Sequence, residues 1–249
     1  IFYIFSADNA TFIEGADASQ YYGPAISLLQ DGGFRAGPGV EFSTMGTPLY
    51  SILLAIPIGI FGIDHSSLAI IFIQCFLLYL TGIITRKFSI VFLKKESFLL
   101  HSLIIFNPNS LITAHLVQTE TLFTLFLVLS VYCLFKLIDK NSFKYVFLLS
   151  VSLGLLTLTR PAGLYLIYLA PVLLLGFVYI NNRTKIKDYA ITSFLLVVFS
   201  LSVLSPWVIR NYLVFDEVFV SSNAGPYLKD QYIQLLKIGR QWNEKQAID

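Results

Sequence analysis

The chain has 249 residues, 56% of them hydrophobic and only 13% charged, with a mean hydropathy of +0.72. Soluble domains carry about 25% charged residues, so water is excluded as the main solvent. The net charge of +2, with basic residues sorted by loop rather than gathered in a patch, gives nucleic-acid binding no footing.

Read in order, the apolar stub Ile1–Phe5 runs into Ser6-Ala7-Asp8-Asn9 and is expected to be the last turn of a first membrane helix. It lacks the basic flank of a signal peptide. Residues 6–47 form a long loop rich in Gly and Tyr that carries Asp17, Asp31 and Glu41, and loops of such length are usually functional. The shorter apolar piece Leu49–Ile63 follows Gly46-Thr47-Pro48 and contains Pro57, so it is expected to be half-inserted or interfacial. Six full spans come next: Leu68–Thr85, Ser97–Thr119, Thr121–Ile138, Phe143–Thr159, Ala162–Ile180 and Tyr189–Ile209. Long continuous apolar runs predict helices, because a barrel strand alternates over about 10 residues.

The expected fold is therefore an all-α, polytopic transmembrane helix bundle of about seven membrane helices, with interfacial helices in the long first loop. Residues 1–226 form the membrane domain with its first helix incomplete, and 227–249 begin an external C-terminal segment. Cys75 and Cys133 lie inside apolar spans without CxxC spacing, and read as small buried apolar residues rather than a disulfide or zinc site.

Lys and Arg set the orientation. Arg86, Lys87, Lys94 and Lys95 share one short loop; Lys136, Lys140 and Lys144 a second; Arg183, Lys185 and Lys187 a third. Each is separated from the next by two spans, so all three are assigned to the cytoplasm. The loop 6–47, the turns 118–121 and 159–163 and everything after Arg210 are then external.

That topology collects four ionisable residues at the outer side: Asp17, Glu120, Arg160 and Arg210. A charge at mid-bilayer costs at least ~2.5 kcal/mol, so such residues tend to face a cavity. Their one-sidedness argues for a pocket rather than a transport path. Arg160 sits in Leu-Thr-Leu-Thr-Arg-Pro and Arg210 in Ser-Pro-Trp-Val-Ile-Arg-Asn-Tyr, with Trp207 and Tyr212 as interfacial anchors. Two forks of guanidinium donors match a phosphate; the competing reading is that each snorkels to lipid headgroups. Asp17 alone reads equally as a solvated loop acid, and Glu120 as an acid favoured by a helix dipole. His115 precedes Glu120 by five positions, which do not share a helix face well. With no third ligand in view, no metal is expected there.

Four stretches, in order, resemble the GT-C superfamily, specifically the bacterial family related to protein O-mannosyltransferases and to the aminoarabinose transferase that modifies lipid A. They are Asp17-Ala-Ser-Gln-Tyr21-Tyr22 with Leu28-Leu29-Gln-Asp-Gly32; Thr47-Pro48-Leu49-Tyr50 to Phe61-Gly62; Gln118-Thr-Glu120-Thr-Leu-Phe with Leu158-Thr159-Arg160-Pro161; and Pro206-Trp207-Val-Ile-Arg210-Asn211-Tyr212, followed by Ser221-Ser222-Asn223-Ala224-Gly225. The resemblance implies that Asp17 is the catalytic acid of the first loop. It places Arg160 and Arg210 in the pocket for a lipid phosphate, and Glu120, Tyr50, Tyr21, Tyr22 and Asn223 around the substrate. Two departures stand out: Asp17 is followed by Ala18 where protein O-mannosyltransferases commonly have Asp-Glu, and Thr47-Pro48 replaces Pro-Pro.

The expected activity is that of a hexosyl or pentosyl transferase. It moves a sugar from a polyprenyl-phosphate donor to an acceptor hydroxyl, with inversion, at the outer face of the plasma (inner) membrane. Expected partners are the lipid-linked donor, membrane lipid and an acceptor that is lipid, protein or polysaccharide; no metal or other cofactor is expected. One carboxylate suffices for this chemistry, whereas a glycosidase needs a second acid at its leaving oxygen. Two readings compete. A transporter or flippase of lipid-linked sugars would show broken helices in related halves; Pro57, Pro108 and Pro171 lie in apolar segments, but no repeat is evident. A non-catalytic membrane subunit is the third.

Overall fold

A computed structural model describes residues 18–43 and 46–222. Asp17, Asn223, the stub Ile1–Phe5 and the 226/227 boundary with the segment beyond it lie outside the described residues. The described chain is all-α. Its helices are Ser19–Gln30 (α1), Pro48–Phe61 (α2), Ser67–Leu93 (α3), Phe98–Ile105 (α4), Pro108–Thr113 (α5), Glu120–Asp139 (α6), Phe143–Thr159 (α7), Gly163–Asn181 (α8) and Ile186–Phe215 (α9). A 3-10 turn, Arg183–Lys185, leads into α9.

Among the described residues α3, α6, α8 and α9 with its leading turn are long and apolar enough to cross a membrane, and α2 and α7 are shorter apolar helices. Large apolar side chains such as Phe72, Tyr165 and Ile180 stand exposed on their outer faces, a surface suited to lipid. The bundle is an all-α membrane helix bundle, as the apolar runs predict.

Three helix boundaries differ from the sequence expectation. Ser97–Thr119 is not one helix but α4 and α5, broken where Asn107 accepts hydrogen bonds on its side-chain oxygen from the N–H groups of Asn109 and Ser110, with Pro108 at the first helical position. Proline lacks the N–H and clashes with the carbonyl four residues back, so the run cannot continue through it. In the other direction, α3 runs on past Thr85 to Leu93 and α9 past Ile209 to Phe215. The reason is that Arg and Lys end an apolar run without ending a helix, being good helix formers. α3 stops where Lys94 takes a left-handed conformation with φ 58°.

Helix directions follow from contacts between the elements. Ser150 in α7 donates to the carbonyl of Leu196 in α9 at 3.2 Å, and a Cβ on Gly154 would meet Val203 and the Ser200 carbonyl, so α7 and α9 run parallel with α8 returning between them. Tyr189, early in α9, donates to the carbonyls of Leu137 and Ile138 at the end of α6, so α6 runs opposite to both. The ends of α3 and α6 meet through Phe88, Phe92 and Phe135, which makes that pair parallel. The three basic loops therefore share one end of the bundle, and Glu120, Arg160 and Arg210 lie toward the other.

Two apolar cores hold this arrangement. Leu137, Leu149, Leu156, Ile167, Leu174 and Leu196 fill the space between α6, α7, α8 and α9. Ala18, Ala25, Tyr50, Leu54, Ile70 and Leu122 join α1 and α2 to the starts of α3 and α6. The hydroxyls of Ser130 and Ser152 hydrogen-bond each other between α6 and α7, and Ser152 also reaches the Phe126 carbonyl at 3.0 Å. Small polar residues of this kind let membrane helices approach closely.

Candidate active site

The end of the bundle opposite the basic loops is built around Arg160. Pro161 disfavours the helical conformation for the residue before it, and Arg160 is extended at φ −147°, ψ 136° immediately after α7. Its Nε donates to the Thr119 hydroxyl, and its Nη2 donates to Glu120 Oε1 in an ion pair. Glu120 opens α6, where the positive end of the helix dipole favours a carboxylate. Both partners of the pair are partly open to their surroundings, with side chains 38% and 34% exposed. Glu120 Oε2 is shielded and has no hydrogen-bond partner among the described residues. Arg160 likewise keeps Nη1 uncommitted among them.

Tyr50 lies beside this pair. α2, at 14 residues, spans about 21 Å and so falls short of the roughly 30 Å hydrocarbon core. Its first turn buries Tyr50 completely. The phenol donates to Gln74 Oε1 at 3.1 Å, and Gln74 Nε2 donates to the carbonyls of Leu116 at 3.0 Å and Ala114 at 3.4 Å. Gln74 thus satisfies the irregular backbone between α5 and α6, which inside a membrane protein needs an internal partner. Burial pushes the Tyr50 hydroxyl well above its ordinary range, with Tyr22, Tyr21 and Glu120 adding to the rise against an opposing hydrogen bond from the Gln118 backbone. Tyr21 packs edge-on to Tyr50 with ring centroids 5.1 Å apart.

Five of the eight residues singled out in the sequence, Tyr21, Tyr22, Tyr50, Glu120 and Arg160, therefore come together. Asp17 and Asn223 fall outside the described residues. Asp17 is the sequence neighbour of Ala18, which is buried in the same apolar core as Tyr50.

Arg210 is at the same end but in a different setting. Nη2 donates to the Phe34 carbonyl at 2.7 Å, and Nη1 to Asn211 Oδ1 at 2.8 Å and the Ser43 carbonyl at 3.3 Å. The rings of Trp207, Phe215, Phe42 and Phe34 surround the guanidinium at 4.9, 5.2, 5.3 and 5.7 Å. Trp207, expected as an interfacial anchor, is buried instead and donates from Nε1 to the Val220 carbonyl at 2.7 Å. Tyr212 is half exposed.

The two settings are also close along the chain. Four residues after Ser43, the Thr47 hydroxyl donates to the Thr159 carbonyl at 2.8 Å, beside Arg160. Sequence reasoning gave no role to Gln74, Phe34 and Phe42, and took in Thr47 and Thr119 only as parts of the resembling stretches. Gln74 alone carries a visible signal, as an amide inside the apolar run Leu68–Thr85. His115 Nδ1 lies 2.7 Å from the Leu111 carbonyl in its own segment, and no group of three His, Cys, Asp or Glu is found among the described residues.

This geometry suits an anion. An arginine aligned by a carboxylate, with donors to spare and the buried Tyr50 and half-buried Tyr21 and Tyr22 nearby, has the fork of donors that matches phosphate oxygens. No curated protein and no solved structure matches the chain. Residues 45–209 match the dolichyl-phosphate-mannose-protein mannosyltransferase family. The matched stretch is well over half of the chain and runs from the α2 entry through Tyr50, Glu120 and Arg160, so the chain belongs to that family of membrane glycosyltransferases of the GT-C kind.

Proposed function

We propose that the chain moves a sugar from a polyprenyl-phosphate carrier to an acceptor hydroxyl, with inversion, at the outer face of the plasma membrane. The observation that carries the reading is Arg160, fixed by Glu120 and Thr119 beside Tyr50 at the end of the bundle away from the basic loops. Basic loops face the cytoplasm by the positive-inside rule, so the site faces out. In this reading the donor phosphate docks on the open donors of Arg160 while the prenyl tail stays in lipid.

The chemistry balances with one carboxylate. Asp17 takes the proton of the acceptor hydroxyl, whose oxygen forms a bond to the anomeric carbon as the bond from that carbon to the phosphate oxygen breaks. The polyprenyl phosphate leaves with its negative charge held by Arg160. Preorganised charge in a sheltered site is the main source of transition-state stabilisation, and a positioned base contributes about 10²–10⁴-fold. Asp17→Asn is therefore expected to lower transfer from polyprenyl-phosphate mannose by about 10²–10⁴-fold with membrane insertion intact. Near-normal turnover by the purified variant would remove Asp17 from the mechanism. Products bearing a sugar other than mannose would leave the reading standing and change the donor.

A further inference from the structure

Pro206-Trp207-Val-Ile-Arg210-Asn211 stands out as a motif that the phosphate site does not explain. Trp207, Arg210 and Asn211 are spaced i, i+3, i+4, so they share one face of α9. That face holds two separate loops. Arg210 takes the Phe34 and Ser43 carbonyls on one side. Trp207 Nε1 takes the Val220 carbonyl, and Asn211 Nδ2 takes the Phe219 carbonyl at 2.9 Å, on the other.

The loop held by Arg210 is itself firmly built. Val40 N–H donates to the Gly37 carbonyl, closing a four-residue turn around Pro38-Gly39, with Gly39 at φ 70°. This is the type II arrangement, which wants proline then glycine at its centre. Ala36 N–H donates to Glu41, Ser43 N–H donates to Phe34, and Gly39 N–H donates to Asp31 Oδ2. The turn lies back on α1 so closely that a Cβ at Gly23 would fall 2.0 Å from the Ala36 carbonyl. The Ser27 hydroxyl donates to the Gly33 carbonyl at 2.9 Å. α1 and the turn are therefore packed as one piece, and Tyr21 on that piece packs against Tyr50.

We propose that Arg210 is a positioning residue: it clips the turn 34–43 to α9 and so sets α1, with Tyr21 and Tyr22, against the Tyr50–Glu120–Arg160 cluster. Its role in transfer rests on the function proposed above; the clip itself does not. Both terminal nitrogens of Arg210 already hold carbonyls across the α9 interface. Four rings enclose its plane, and a lysine, with one compact ammonium, cannot reproduce that fork.

Two measurements on the full chain in membranes test this. Ser43 is buried at 8% exposure, so a Ser43→Cys reporter should react slowly with a water-soluble maleimide. Adding Arg210→Ala or the milder Arg210→Lys should raise its labelling rate tenfold or more, while adding Arg160→Ala should leave it within twofold. Equal labelling in all four proteins would overturn the clip whatever the activity. In transfer from polyprenyl-phosphate mannose, Arg210→Lys should lower kcat at least tenfold with the donor KM within twofold. A donor KM raised tenfold at unchanged kcat would make Arg210 a phosphate ligand and overturn the positioning role. If the unsubstituted chain transfers nothing, the proposed function fails, and the labelling result alone still decides the clip.

Discussion

Arg160 and Arg210 lie toward the same end of the bundle, associated with two parallel helices, yet they are solvated by the protein in opposite ways. Arg160 has left its helix at Pro161 and faces a carboxylate; Arg210 stays within α9 and faces neutral carbonyls and rings. The first pair sums to no net charge, so its pull on a phosphate must come from short-range bonds made by its open donors. The second has no carboxylate partner among the described residues, and its charge reaches further while both of its terminal nitrogens already donate to protein oxygens. Half-buried charges fall off with distance far less steeply than contacts do. One arginine is thus suited to touching a phosphate, and the other to holding a loop while adding to the field.

The comparison breaks most sharply at Arg160 itself. Arg160→Ala is expected to lower kcat/KM for transfer about 10²–10³-fold, the scale of losing one preorganised donor at a developing negative charge. Steady-state kinetics against donor concentration measure this. A loss under tenfold would leave the proposed phosphate site without its main contact.

How much of this was legible beforehand depends on range. The spans at α6, α7 and α8 follow from apolar runs and agree within a residue or two with the helices, because burial in lipid is written locally. Asn107-Pro108 also carried the α4–α5 break in its own chemistry, although hydropathy alone runs straight across it. The meeting of Arg160 with Glu120 was legible only as a shared side of the membrane. What the sequence hid is the partner set of Arg210, whose acceptors at Phe34 and Ser43 lie 176 and 167 positions away and are backbone atoms with no residue identity to read. Gly23 and Gly154, which permit the close approaches, look like any other glycine.

Gly154 offers a way to disturb both regions together. A Cβ there would meet Val203 Cβ at 2.5 Å, where α7 and α9 lean on each other. Gly154→Val is expected to destabilise the bundle by about 1–3 kcal/mol through overpacking, read as a lowered thermal midpoint in detergent. It should also raise labelling of a Ser43→Cys reporter, which Arg160→Ala does not. An unchanged midpoint would mean the helices part easily, and the rigid frame argued for both arginines would be lost.

Glu120→Gln separates holding from binding at Arg160. Removing the carboxylate leaves Arg160 with its charge uncompensated, so the donor KM should fall. The guanidinium also loses its charged guide, so kcat should drop about tenfold, or roughly 1.4 kcal/mol, close to the lower end of the range for a hydrogen bond to a charged group. Opposite movements of the two constants are the signature. A higher KM with kcat unchanged would instead make Glu120 a direct ligand of the sugar.

The smallest change falls on the link between the regions. The Thr159 carbonyl is among the last four of α7, which have no partner inside the helix, and the Thr47 hydroxyl caps it at 2.8 Å. Thr47 is 3% exposed, so no water stands ready to replace the bond. Thr47→Ser keeps the hydroxyl and should behave as the parent. Thr47→Val keeps the shape but leaves the carbonyl bare, at a cost of about 1 kcal/mol. The loss should appear as a lower thermal midpoint and a few-fold lower kcat, because the same bond steadies the backbone next to Arg160. If valine and serine prove indistinguishable in both measurements, the loop does not carry the position of α1 to Arg160, and the two arginines act independently.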